Sequence, residues 1–119
     1  MVIFSRHRLI GALLLTATAL FLGACQNAVT VGAVNRCGTD VEIRADSVTD
    51  MTTHWVTVRA GGDRSVVDMG QSIKTLYVNV RTPGSERIRS FEVSTASLGK
   101  PPAGASYESQ LALEGDRCP

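Results

Sequence analysis

Reactive side chains are scarce in this sequence. Of its 119 residues only two are histidine and three are cysteine, and His54 is the only histidine beyond residue 24. The sequence contains no G-x-S-x-G elbow, no Cys-x-x-Cys pair and no glycine-rich phosphate loop. These absences argue against hydrolase, thiol-redox and nucleotide-dependent chemistry. We therefore predict no catalytic residue, no metal site and no cofactor.

A charge excess of either sign is also lacking. Arg6 and Arg8 precede residue 25, and from there on ten Lys and Arg residues face eleven Asp and Glu residues. Such a chain has no basic field to attract nucleic acid, so we expect no nucleic-acid partner. Aromatic residues are few as well; after residue 24 they are Trp55, Tyr77, Phe91 and Tyr107. We expect Trp55 in the core, since an exposed tryptophan would instead mark a partner surface.

The first 25 residues have the organisation of an export signal. A short positive head of Arg6, His7 and Arg8 precedes the uncharged, Leu- and Ala-rich stretch 9–22. As a helix this stretch would extend about 21 Å at ~1.5 Å per residue, short of a hydrocarbon core of ~30 Å. A helical, cleaved signal peptide is therefore favoured over a membrane-spanning anchor.

The signal segment ends in Leu22-Gly23-Ala24-Cys25, which resembles the lipobox of bacterial lipoproteins. The resemblance covers the signal segment alone. It implies cleavage before Cys25 and a diacylglycerol on the Cys25 thiol, so that fatty acyl chains such as palmitate hold the protein on the membrane. It also implies a place on the extracytoplasmic side of the cell membrane, or on the outer membrane of a cell that has two, because Gln26 is not the aspartate of inner-membrane retention. The alternative is a simple secretory signal with Cys25 in the first strand.

This interpretation divides the chain into a signal peptide (1–24), a lipid-anchored tether (25–28) and a folded domain (29–119). With Cys25 lipidated, Cys37 and Cys118 remain as an even pair in an oxidising compartment, and we predict that they form a disulfide. A loop of roughly 80 residues closed by this bond would stabilise the domain by about 4–4.5 kcal/mol in the loop-entropy model.

The folded domain consists of short alternating segments separated by turn residues. No convincing amphipathic helix interrupts them. About seven strands at this spacing predict an all-β fold, a small antiparallel β-sandwich that is immunoglobulin-like in architecture, with a small β-barrel as the alternative. The expected strands are 29–31, 40–44, 54–59, 64–69, 74–81, 86–94 and 107–113.

Alternation also predicts which residues face inward. Ile88 is out of phase with Phe91 and Val93, which suggests a β-bulge in the sixth strand. The expected core is Val31, Val41, Ile43, Trp55, Val58, Val67, Leu76, Val78, Val80, Phe91, Val93, Leu111 and Leu113.

Candidate binding residues flank the Pro83-Gly84 turn. Arg81, Arg87 and Arg89 could form a positive rim for an anionic partner, or else serve solubility and block edge pairing. Two metal sites have weaker support: copper at Met51, His54 and Met69, and calcium at Asp46 and Asp50.

Taken together, the sequence favours a lipid-anchored, non-catalytic accessory or interaction module of the bacterial cell envelope. Its partners would be the membrane, through the lipid on Cys25, and an envelope protein. A small-ligand- or metal-binding lipoprotein is the alternative, and an envelope hydrolase is the least supported.

Overall fold

A computed structural model describes residues 28–119, which form two β-sheets packed face to face. The predicted signal peptide and Cys25 lie outside the described residues. Within residues 28–119, no helix has both the length and the hydropathy needed to span a membrane.

Seven strands make up the two sheets. They are β1 (Ala28–Asn35), β2 (Val41–Asp46), β3 (Val56–Val58), β4 (Asp63–Gly70), β5 (Thr75–Arg81), β6 (Arg89–Ser94) and β7 (Ser109–Leu113). One sheet has the order β4-β1-β7 and the other the order β3-β2-β5-β6. Single 3-10 turns follow β6 and β7. The predicted all-β sandwich is confirmed, with two separate sheets rather than a closed barrel.

The first and last strands lie side by side and run parallel, while every other strand pair is antiparallel. Both strands therefore leave their sheet at the same end, where Arg36 N donates to Leu113 O at 2.8 Å. There Cys37 and Cys118 form a disulfide, with their Cα atoms 5.6 Å apart. We call this the disulfide end. Ala28 marks the opposite end, roughly 23 Å away at ~3.3 Å per residue.

The core comes from alternate residues of the facing strands. Val41, Ile43 and Ala45 point inward from β2, and Leu76, Val78 and Val80 point inward from β5. Most of the expected core is buried; Val67 and Phe91 are partly buried against it, and Trp55 is not part of it. Ala33, Ala45, Asn35 and Tyr107 are buried residues that the alternation did not predict.

The β-bulge lies elsewhere than predicted. Ile88 precedes β6 and is 46% exposed, so no bulge is needed to orient it. The irregularity is between β1 and β4, where Val31 pairs with Val67 and Gly32 pairs with Ser65. Val66 is therefore the extra residue of β4, and both Val66 and Val67 can pack against the core.

One buried amide ties the two sheets together. Asn35, fully buried in β1, donates from Nδ2 to Val58 O of β3 at 2.9 Å and to Thr39 O at 2.7 Å. Its Oδ1 accepts from Cys37 N at 2.9 Å. Every polar atom of this side chain thus has a partner, which is what burial of an amide requires.

The segment before β7 crosses the outer face of the three-stranded sheet. Gly99 and Gln110 exchange two backbone hydrogen bonds of 2.9 Å, which cover part of the free edge of β7. The ring of Tyr107 lies against Gly32 on the outer face of this sheet, where a glycine leaves room for it. Tyr107 is only 4% exposed.

A candidate interaction face

Trp55 lies on the outer face of the four-stranded sheet, immediately before β3. Val58 is buried and Val56 packs against the core, so residues 55 and 57 alternate to the outside. The expectation that Trp55 is a core residue is therefore wrong. The strand is only three residues long, and the sequence pattern around it does not reveal which of its faces turns inward.

Two arginines from neighbouring strands contact the indole. The guanidinium carbon of Arg81 is 3.9 Å from the ring centroid, and that of Arg44 is 4.6 Å from it. Cation–π contacts of this kind contribute about 0.5–2 kcal/mol each, depending on how far the cation is desolvated. Both contacts come from neighbouring strands of the sheet, and Trp55 remains partly exposed.

Arg81 is neutralised within the sheet. Its Nη2 is 3.0 Å from Glu42 Oε2, and the two side chains are only 25% and 17% exposed. The other oxygen of Glu42 accepts from Gly84 N at 3.2 Å. Arg81 Nε has no hydrogen-bond partner among the described residues. Each carboxylate oxygen of Glu42 therefore has a partner, and the negative charge of Glu42 compensates the positive charge of Arg81.

Arg44 has no such counter-ion. Asn79 lies directly across from it on β5, and the Asn79 amide is best oriented with its oxygen 3.3 Å from Arg44 Nε and its nitrogen 2.7 Å from Ser90 Oγ. Within residues 28–119, no carboxylate oxygen lies within 4.0 Å of the Arg44 guanidinium. Arg44 thus carries an unpaired positive charge beside Trp55.

A shallow groove of about 260 Å³ continues the surface beyond Asn79. It runs between the β2–β3 loop (residues 47–55) and strands β5 and β6. Its lining comprises Thr49, Met51, Tyr77, Val78, Asn79, Ser90, Phe91 and Glu92. We use the name Trp55 face for this groove together with Arg44, Trp55 and Arg81.

The Trp55 face combines aromatic residues, Met51 and two arginines with the polar residues Ser90 and Glu92. Trp, Tyr, Phe, Met and Arg are the residue types enriched at interface cores, and Trp, Tyr and Arg carry most hot spots. Sequence reasoning missed Arg44, Tyr77 and Asn79 as members of this surface. The alternation of β2 and β5 does indicate that these three side chains point outward. It does not show that the two strands are neighbours in the sheet.

The three arginines predicted as a positive rim do not converge. Arg81 turns toward Trp55 and Glu42, whereas Arg89 donates from Nη1 to Asp116 O at the disulfide end, at 2.7 Å. Arg87 is exposed on the β5–β6 hairpin.

The candidate metal ligands are not brought together either. Met51 lines the groove, His54 is exposed, and Met69 packs against the core from the other sheet. Asp46 Oδ1 accepts from the adjacent Ser47 N at 2.7 Å. In the part of the chain that the structure describes, no group of three or more His, Cys, Asp or Glu residues could hold a metal ion.

The surroundings of Tyr107 on the three-stranded sheet change its titration. Burial of the ring, and next the hydrogen bond from its hydroxyl to Asp63 Oδ2 at 2.7 Å, raise the pKa of Tyr107 above its ordinary value near 10. Gln110 Nε2 donates to the same hydroxyl at 3.0 Å. This cluster holds the crossing segment in place, on the opposite sheet from the Trp55 face.

Comparison of the chain with protein-family models, with curated proteins and with solved structures finds no match.

Proposed function

We propose that this protein is a lipid-anchored, non-catalytic interaction module of the bacterial cell envelope, and that the Trp55 face is its partner surface. The observation that supports a binding role is the partly exposed Trp55, which Arg44 and Arg81 both contact on the outer face of the sheet. An aromatic ring contacted in this way loses little side-chain entropy when a partner covers it.

The anchor follows from the lipobox-like motif, and the fold gives it an orientation. Only Gln26 and Asn27 separate Cys25 from the first residue of β1. Extended chain covers at most ~3.3–3.6 Å per residue, so a lipid on Cys25 would hold the Ala28 end within about 10 Å of the bilayer. The disulfide end would then point away from the membrane, with the Trp55 face on the side of the sandwich.

The anchor is tested by Cys25→Ser in whole cells. We expect loss of labelled palmitate incorporation and release of the protein from the membrane fraction, because only a thiol can carry the thioether-linked diacylglycerol. The matched control is the double variant Cys37→Ser/Cys118→Ser, which keeps Cys25 and should remain labelled. Equal labelling of the Cys25→Ser chain would contradict the anchor.

The partner surface is tested by placing a photo-crosslinking amino acid at one exposed position on each sheet. Ser90 borders the groove, and Glu108 lies beside the three-stranded sheet, where its backbone nitrogen donates to Thr30 O. We expect a discrete crosslinked product from position 90 and none from position 108. The same products from both positions, or none from position 90, would count against the Trp55 face.

A further inference from the structure

The Trp55 face contains two cations, Arg44 and Arg81, and one acidic residue in its groove, Glu92. Two guanidinium groups contact one indole, but among residues 28–119 only that of Arg81 has a carboxylate oxygen within 4.0 Å, because Glu42 is engaged by Arg81 Nη2 and Gly84 N. Asp46, two residues along β2 on the same side as Arg44, accepts instead from Ser47 N. A carboxylate arriving from outside would therefore meet an unpaired, partly desolvated cation.

A groove with both apolar and polar lining residues lies beside that cation. Asn79 is directly opposite Arg44 in the β2–β5 register and also lines the groove with Met51, Tyr77 and Phe91. Neighbouring strands are about 4.8 Å apart, so a group at Arg44 and a group in the groove are separated by one to three residues of an extended chain. A groove of about 260 Å³ has room for one side chain rather than for a whole ligand.

We infer that the Trp55 face binds a segment of a partner protein that carries an aspartate or glutamate within three positions of a large apolar side chain. The carboxylate pairs with Arg44 beside Trp55, and the apolar side chain enters the groove between Met51 and Phe91. This inference rests on the proposed role as an interaction module and specifies the chemistry of the partner.

Trp55 is the only tryptophan of the chain, so its fluorescence reports directly on this face. The test uses the full chain with Cys25→Ser, so that the result does not depend on lipid. The probes are capped pentapeptides that place one Glu or Asp one to three positions from one Leu or Phe. Matched peptides replace the acid with Gln or Asn. Dissociation constants come from the anisotropy of a dye on the peptide, and Trp55 emission shows where the peptide binds.

We expect saturable binding of at least one acidic–apolar peptide, a shift of Trp55 emission, and about tenfold weaker binding of its amide counterpart. Charge-assisted pairs are the strong hydrogen bonds of such sites, so Arg44→Gln should also weaken binding about tenfold. Arg44→Lys should have an intermediate effect, because a lysine keeps the charge but not the fork of donors. Arg87→Gln is the matched control, since Arg87 lines a different groove together with Arg89 and Pro119, and it should leave the affinity unchanged.

Three results would overturn the inference: no saturable binding anywhere in the panel, equal binding of acidic and amide peptides, or an affinity unaffected by Arg44→Gln. A second copy of this chain is the other candidate to cover the Trp55 face, and sedimentation of the same protein tests for it. A dimer that Arg44→Gln dissociates would mean that the chain covers this face itself. Palmitate labelling of Cys25 is measured in a separate experiment. Failure of the anchor and failure of this inference can therefore be told apart.

Discussion

Replacing Gly32 by alanine tests how closely the Tyr107 ring packs against β1. A Cβ built at Gly32 would overlap Cγ, Cδ1 and Cδ2 of the Tyr107 ring. The ring cannot easily move away, because Asp63 and Gln110 hold its hydroxyl at 2.7 and 3.0 Å. Backbone strain plays no part, since Gly32 is not among the residues with positive φ. The cost is therefore steric and falls on a buried aromatic residue.

The magnitude follows from two competing effects. Overpacking of a tight site costs about 1–3 kcal/mol, and a displaced ring would also lose its hydrogen bond to a carboxylate, which is worth about 1.5–3 kcal/mol. Against this, a glycine-to-alanine change in compatible backbone stabilises by about 0.4–1 kcal/mol through the unfolded chain. We expect Gly32→Ala to lower the free energy of unfolding by about 3 kcal/mol.

Urea unfolding followed by Trp55 fluorescence measures this loss. The matched control is Gly70→Ala, also a strand glycine without positive φ, where the added Cβ would meet only Ser72 Oγ at 3.9 Å. It should be neutral or slightly stabilising. In a Tyr107→Ala background, Gly32→Ala should cost little, since the ring is gone. An undiminished cost in that background, or a neutral Gly32→Ala, would refute the reasoning.

Three further predictions concern the stability of the domain. Replacing both Cys37 and Cys118 by serine should cost about 4.5 kcal/mol by loop entropy and lower the melting temperature by roughly 20 °C, measured by calorimetry; a shift of a few degrees would contradict this. Asn35→Asp should destabilise strongly at neutral pH and recover as the pH falls, because a buried carboxylate would face two carbonyl oxygens; pH-independent urea midpoints would argue otherwise. The pKa of Tyr107 is raised in the folded state, so the unfolded chain releases the Tyr107 proton at a lower pH than the folded one. The stability that Tyr107 contributes is therefore complete below pH ~10 and is lost as the pH rises above that value. The difference in unfolding free energy between wild type and Tyr107→Phe should therefore narrow above that pH.

Much of the fold could be predicted because it depends on local patterns. Inward residues of β2 and β5 alternate without interruption, so their strands and buried faces follow from the period of two. The disulfide followed from the even number of cysteines left after Cys25. Strand ends were harder: the segment expected to start at residue 54 begins at Val56, and the one expected at residue 107 begins at Ser109.

The candidate site could not be predicted, because its members meet only across strands. Arg81 and Glu42 are 39 residues apart, and they pair because β5 lies beside β2 in one particular register. Trp55 contacts both Arg44 and Arg81, a combination that no short stretch of sequence contains.

The sequence by itself determined that the folded domain is all-β, that its cysteines leave a pair for a disulfide, and that its start resembles a lipoprotein signal. Each of these depends on spacing within a few residues or on simple counting. Only the tertiary structure decided that Trp55 is outside, that Tyr107 lies on Gly32, and that Arg44 has no counter-ion among residues 28–119. The physical reason is that alternation defines two faces for each strand, whereas long-range pairing decides which faces are covered and which charges meet.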